Sequence, residues 1–168
     1  FYIPTGPLSS SKLLDVHRIH ILLGTYGGGV IFNSLKGMIS DNNLSRSHVA
    51  EFKSITYNNQ DSDFSTKMVK RILNYFIDYK CRGQVIDELM EIYFPNEVKV
   101  HHDFYMSKDD LINMRENGMI IGSHSKTHPV MSKLNYRDQE KEILESFNEL
   151  LFVTDDNIKT FCYPYGGF

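Results

Sequence analysis

An α/β fold built on parallel strands is the class the sequence predicts, on three observations. From residue 105 onward, helix, strand, helix and strand patterns alternate at short lengths. The strand candidates are apolar runs without alternation, as expected of strands covered on both faces. Residues 12–100 instead carry helical periodicity and no strand pattern, which marks a helical insertion. One partial domain spans 1–168 on this reading: a strand and turn over 1–11, the insertion over about 12–100, and an α/β core over 101–168.

The chain opens on Phe1-Tyr2-Ile3-Pro4-Thr5-Gly6-Pro7, a buried strand running into a Pro/Gly turn. Residues 12–26 place Leu13, Leu14, Val16, Ile19, Leu22 and Leu23 at mixed spacings of three and four, predicting a helix that ends at Gly27-Gly28-Gly29. That run reads as a turn. It follows a helix where a nucleotide fingerprint requires a strand, and no Gly-Lys or acidic partner comes after it. Weaker helical patterns cover 30–40 and 45–53, and 58–63 is a polar loop. Ser65 or Thr66 is the expected cap of a helix whose apolar face holds Met68, Val69, Ile72, Leu73, Phe76 and Ile77. Another helix is expected from Gly83 to Tyr93, stopped by Pro95.

In the second half, Ser107 caps a helix with Asp109 and Asp110 in its first turn, where carboxylates suit the positive end of the dipole. Leu111, Ile112 and Met114 supply its inner face, and Gly118 is the natural residue beyond its end. Met119–Gly122 is the next strand. Residues 135–151 form an amphipathic helix with Ile143, Leu144, Phe147, Leu150 and Leu151 inward and a Glu/Lys-rich outer face. Ile158–Tyr163 is the last strand. Both termini look cut inside a fold, so the chain is expected to be an excerpt of a longer polypeptide.

Composition narrows the function classes. Net charge is −3 and no basic stripe carries interleaved aromatics, so a nucleic-acid surface is not suggested. No apolar run approaches the ~20 residues that cross a bilayer. Cys81 and Cys162 lie in no metal-type spacing and read as buried small hydrophobes.

The chemistry concentrates in Gly122-Ser123-His124-Ser125-Lys126-Thr127-His128-Pro129. His124 falls at the carboxyl end of a predicted strand and His128 in the loop after it, the edge where parallel α/β folds gather their sites. A catalytic zinc needs about three protein ligands and an open position, and histidines four apart can supply two. Two other groups have simpler readings. His17 and His20 lie three apart on a helix and suit packing or surface hydrogen bonds. His101-His102-Asp103 reads as an extended segment, where neighbouring side chains point to opposite faces and do not share a metal.

Gly122-Ser123-His124-Ser125-x-x-His128-Pro129 resembles the second motif of the polysaccharide deacetylase family, the NodB-homology domain of carbohydrate esterase family 4. Phe161-Cys162-Tyr163-Pro164-Tyr165-Gly166 resembles its third motif, and the opening Phe1–Thr5 the strand after its first. The resemblance covers residues 1–7 and 105–168 and leaves 12–100 outside the common core. It implies part of a distorted (β/α) barrel and a hydrolase that removes acetyl from a polysaccharide or amino-sugar glycan. It also implies a divalent metal, zinc first, held by His124 and His128. Further, it implies an oxyanion donor in the backbone N–H of Tyr165, a groove lined by Tyr163, Pro164 and Tyr165, and a supporting role for Ser125. The chain departs from the family in two places. The aspartate pair that gives the base and third metal ligand is expected before Phe1, and the acid histidine after Phe168. No base is carried onto Asp15, Asp103, Asp109 or Asp110, whose contexts do not match the motif. A non-catalytic glycan-binding domain and a structural or interaction segment stay open as alternatives.

Overall fold

The computed structural model of the chain describes residues 1–154 and 159–166. It divides into two compact units, one of Phe1–Leu14 with Asn96–Phe168, the other of Asp15–Pro95. Among the described residues the chain is mostly helical, with one two-stranded parallel sheet. A barrel is not formed by them, so the expected barrel architecture is not reproduced.

The unit of residues 1–14 and 96–168 holds the sheet. Strand β1 (Tyr2–Ile3) pairs in parallel with β2 (Gly122–Ser123), in the register Tyr2↔Gly122 and Ile3↔Ser123. Phe161 adds an isolated parallel bridge to Ser123. The strand expected over Met119–Gly122 is thus shorter and shifted toward its carboxyl end. Ile120 is 62% exposed, so the run is not covered on both faces, and only Ile121 within it packs inward. The strand expected over Ile158–Tyr163 is reduced to the Phe161 bridge, with residues 155–158 outside the described residues. After β1, the Pro/Gly turn is a short helix, α1 (Gly6–Ser9), with proline in its first turn where no N–H is needed.

Three further helices complete this unit before and after β2, once α6 (Glu97–Phe104), α7 (Lys108–Glu116) and α8 (Tyr136–Glu149) are set in order. Helix α6 covers the segment read as extended, which places His101 and His102 about 100° apart on one helix, with His101 buried and His102 exposed. Helix α7 has the expected capping box between Ser107 and Asp110, and Gly118 follows it at φ 82°. The Ser107 hydroxyl holds the Asp110 carboxyl below the usual carboxylate range. Leu111, Ile3, Ile121, Leu150 and Val153 form the core, with Met114 packed against it. Of the apolar positions expected to point inward, Ile112, Leu144 and Leu151 are exposed instead. Helix α8 buries a polar residue, Ser146, while Leu144 on the same helix is exposed.

The unit of residues 15–95 is helical throughout, built on α2 (Asp15–Met38), α3 (Arg46–Phe52), α4 (Phe64–Arg71) and α5 (Tyr79–Tyr93). The glycine run does not end α2; it kinks the helix at Gly27, whose φ of 78° favours glycine. A Cβ on Gly28 would fall within 2.8 Å of the Thr66 backbone, so the run serves a close approach between α2 and α4. The cap of α4 is Asp63, which accepts from the Thr66 amide at 3.0 Å, and not Ser65 or Thr66. Helix α4 passes into a π-helical turn, Ile72–Phe76. Asp78 caps α5, which therefore begins four residues ahead of Gly83. Asp15 is taken up inside this unit, where its carboxylate pairs with Arg82 and, at 3.5 Å, with Arg18.

Candidate functional site

The site begins where β2 ends. Parallel pairing fixes the His124 backbone, whose N–H donates to the Ile3 carbonyl at 3.0 Å, while Ser123 exchanges hydrogen bonds with Thr160 and Cys162 on its other side. Gly122 permits this closeness, because a Cβ there would meet the Thr160 carbonyl oxygen at 2.9 Å. The carboxyl end of a strand flanked on both sides therefore presents His124.

The loop after it is conformationally costly. Ser125 (φ 64°) and His128 (φ 58°) both take left-handed conformations, as does Tyr165 (φ 60°) in the turn opposite. Each such residue costs about 1 kcal/mol or more and persists only where neighbours over-determine it. Here the neighbours are hydroxyls and one carboxylate. The Ser125 hydroxyl accepts from the His128 amide at 3.1 Å, tying the two histidine positions into one turn. The buried Ser123 hydroxyl accepts from the Ser125 amide at 3.3 Å and is paired with the buried Ser146 hydroxyl of α8. Ser146 donates to its own helix at the Ile143 carbonyl, so Ser123 is the donor between them. Glu142 Oε2 accepts from the amides of Lys126 and Thr127 at 2.9 and 2.8 Å, and its Oε1 from the Thr127 hydroxyl at 2.7 Å. The Lys126 ammonium pairs with Glu145 and Glu149, which raise its pKa and hold it charged; Lys126 in turn keeps the Glu145 carboxyl below its ordinary range.

The imidazoles of His124 and His128 stand 4.7 Å apart between ring centres, nearly edge to face. Both are half-buried. His124 Nδ1 lies 2.7 Å from the Cys162 carbonyl oxygen. A carbonyl can only accept, so Nδ1 is the donor, and in the neutral ring Nε2 holds the lone pair that a ligand would use. That is the arrangement in which a histidine serves a metal through one ring nitrogen while the other is anchored to a backbone carbonyl. Two imidazoles on one tetrahedral ion, with nitrogens at about 2.0–2.1 Å, have ring centres roughly 5 Å apart, close to the spacing seen. The ring-centre spacing is thus compatible with two positions of such a sphere. Among the described residues no group of three histidines, cysteines or carboxylates is placed to hold an ion.

Of the other residues read from the sequence, Tyr165 packs its ring 5.1 Å from that of His128, and Pro164 beside it is buried. Tyr163 is 40% exposed with its ring edge-on to Phe161. The turn and the histidine loop thus stand on one edge of the sheet. Glu142 and Ser146 were not singled out by sequence, since a glutamate and a serine within a Glu/Lys-rich helix read as solvated surface. A usable signal was there: Glu142, Glu145, Ser146 and Glu149 recur at three and four along α8, a polar stripe at helical spacing that needs a polar partner.

The sequence profile of a family described as polysaccharide deacetylase matches residues 51–168, more than half of the chain. The match starts well ahead of residue 105, so the likeness also takes in helices from α4 onward that were expected to lie outside the common core. Comparison with curated proteins and with solved structures returned no match.

Proposed function

Because this chain belongs to the polysaccharide deacetylase family, we propose that it acts in metal-dependent hydrolysis of N-acetyl or O-acetyl groups on a polysaccharide or an amino-sugar glycan precursor. The family is one of hydrolases on glycans. The single observation that carries the metal-dependent reading is the anchoring of His124 Nδ1 to the Cys162 carbonyl while its ring stands beside His128.

Removing an acetyl group requires an attacking water, a base to deprotonate it, a donor for the tetrahedral oxyanion and an acid for the leaving group. His124 and His128 are the residues that would hold a divalent ion, zinc first by ligand type. Bound there, the ion would polarise the acetyl carbonyl and lower the pKa of its water. The Tyr165 amide is the oxyanion donor in this reading, because Pro164 has no N–H and Tyr165 is the next residue of the turn that has one. The His128–Tyr165 ring contact supports it by setting that turn beside the histidines. Pro164, Tyr163 and Tyr165 line the sugar side, with Tyr163 open enough to stack on a pyranose face. Ser125 supports the loop through His128.

The test is titration of the purified full-length protein with Co²⁺, followed by its absorption spectrum, together with acetate release from an N-acetylglucosamine oligosaccharide. We expect one equivalent bound, with His124→Ala and His128→Ala each lowering affinity by about tenfold or more. Unchanged affinity in both variants overturns the metal site. Saturable oligosaccharide binding with no acetate released, in the metal-loaded protein, would instead establish a glycan-binding domain without turnover.

A further inference from the structure

Helix α8 contributes one carboxylate that no part of the chemistry above uses. Glu142 projects from its second turn and receives three donors from two consecutive residues, the Lys126 amide, the Thr127 amide and the Thr127 hydroxyl, at 2.9, 2.8 and 2.7 Å. Those residues form the middle of the turn whose ends are His124 and His128. The same turn contains two left-handed residues other than glycine, Ser125 and His128, so its conformation is not one the local sequence would hold by itself. Its other supports are the Ser123 and Ser125 hydroxyls, and Thr5 and Gly6, which donate to the Ser125 and Lys126 carbonyls at 3.2 and 2.8 Å. Among the described residues, Glu142 takes up the amides of Lys126 and Thr127, while the Ser125 amide goes to the Ser123 hydroxyl. A carboxylate accepting two backbone amides is a strong, charge-assisted acceptor with a fixed direction.

We infer that Glu142 is a positioning residue, the clamp from α8 that holds the His124–His128 turn in its ligand-ready conformation before any ion or sugar arrives. The inference rests on the metal-site reading above for its consequence in affinity, though not for the clamp itself. Geometry of this kind separates Glu142 from its neighbours on the helix. Glu145 and Glu149 meet the Lys126 ammonium at the end of a flexible stem and leave the backbone alone.

The test compares Glu142→Ala and Glu142→Gln with the exposed control Glu140→Ala on the same helix. Two readings are taken on the whole chain: Co²⁺ affinity from the absorption spectrum, and amide hydrogen exchange at His128 without metal. Alanine removes all three acceptor contacts; the glutamine oxygen can still take both backbone amides while its NH₂ faces the Thr127 hydroxyl oxygen. We expect Co²⁺ affinity to fall roughly 10- to 100-fold in Glu142→Ala, partial rescue in Glu142→Gln, and no change in Glu140→Ala. His128 exchange should quicken about tenfold in Glu142→Ala while the Leu150 amide at the far end of α8 keeps its rate. Affinity within twofold of the wild type, or unchanged exchange at His128, overturns the clamp. Should Glu142→Ala lose exchange protection at Leu150 too, Thr127→Val, which deletes only the hydroxyl arm, decides on the same readings. If the wild type itself takes up no Co²⁺, the metal reading fails, and exchange at His128 alone then upholds or overturns the role of Glu142.

Discussion

Gly122 sits one residue before the strand end that carries His124, and its lack of a side chain is what lets Thr160 and Tyr2 close on β2 from both sides. Replacing it with alanine sets a methyl group 2.9 Å from the Thr160 carbonyl oxygen, a contact that moves backbone and not a flexible side-chain tip. Gly122→Ala should cost about 1–3 kcal/mol in urea denaturation. It should also weaken Co²⁺ binding, because Cys162, whose carbonyl orients His124, is paired to the same strand. Stability and affinity both equal to the wild type would show that the three segments separate freely there. At this scale the histidine pair was legible, since its residue types, spacing and position after an apolar run all survive in one dimension. The left-handed turn was not: Ser125, His128 and Tyr165 are residues that ordinarily avoid positive φ, and only contacts from α8 and the strands reveal why they adopt it.

Among the elements, α8 supplies the carboxylate that meets the histidine turn, and its start is set by Asn135. The Asn135 side chain accepts from the Asp138 amide at 3.0 Å and donates to the Asp138 carboxylate at 2.7 Å, which satisfies an amide that the helix leaves open. Asn135→Ala should lower stability by about 1 kcal/mol, read from the urea midpoint. Because Glu142 lies two turns further in, the same variant should leave Co²⁺ affinity nearly unchanged; a parallel loss would mean that fraying reaches the histidine turn. Helices were the most legible elements, as the cap at Ser107 and the helix read over 135–151 show. Where reading failed, a tertiary contact overrode a local signal. Three consecutive glycines read as a stop, yet at Gly28 they serve the contact of α2 with Thr66. His101-His102 read as extended because nothing local marks α6, whose first residue has no side-chain cap. The strands were placed too generously, because apolar residues such as Ile120 can be exposed without breaking any periodicity.

At the scale of the molecule, each of the two units has its own buried interior, and the family match, running from residue 51, draws on both. The helical unit should respond to mild acid by itself. Along α2, burial depresses the pKa of His17, helped by the charge of neighbouring His20. Partial desolvation depresses that of His20, helped by Lys70 of α4. A histidine whose pKa is lower in the folded state is protonated first in the unfolded chain, so the unfolded state binds more protons through that interval. Stability from keeping these rings neutral is therefore fully present above the unfolded pKa of about 6.5 and declines as pH falls below it. Measured by urea denaturation between pH 7.5 and 5.5, the wild type should lose stability on acidification, and the double variant His17→Gln with His20→Gln should lose measurably less. Equal slopes would mean that the two rings take up protons as readily folded as unfolded, and that α2 leaves them effectively in water.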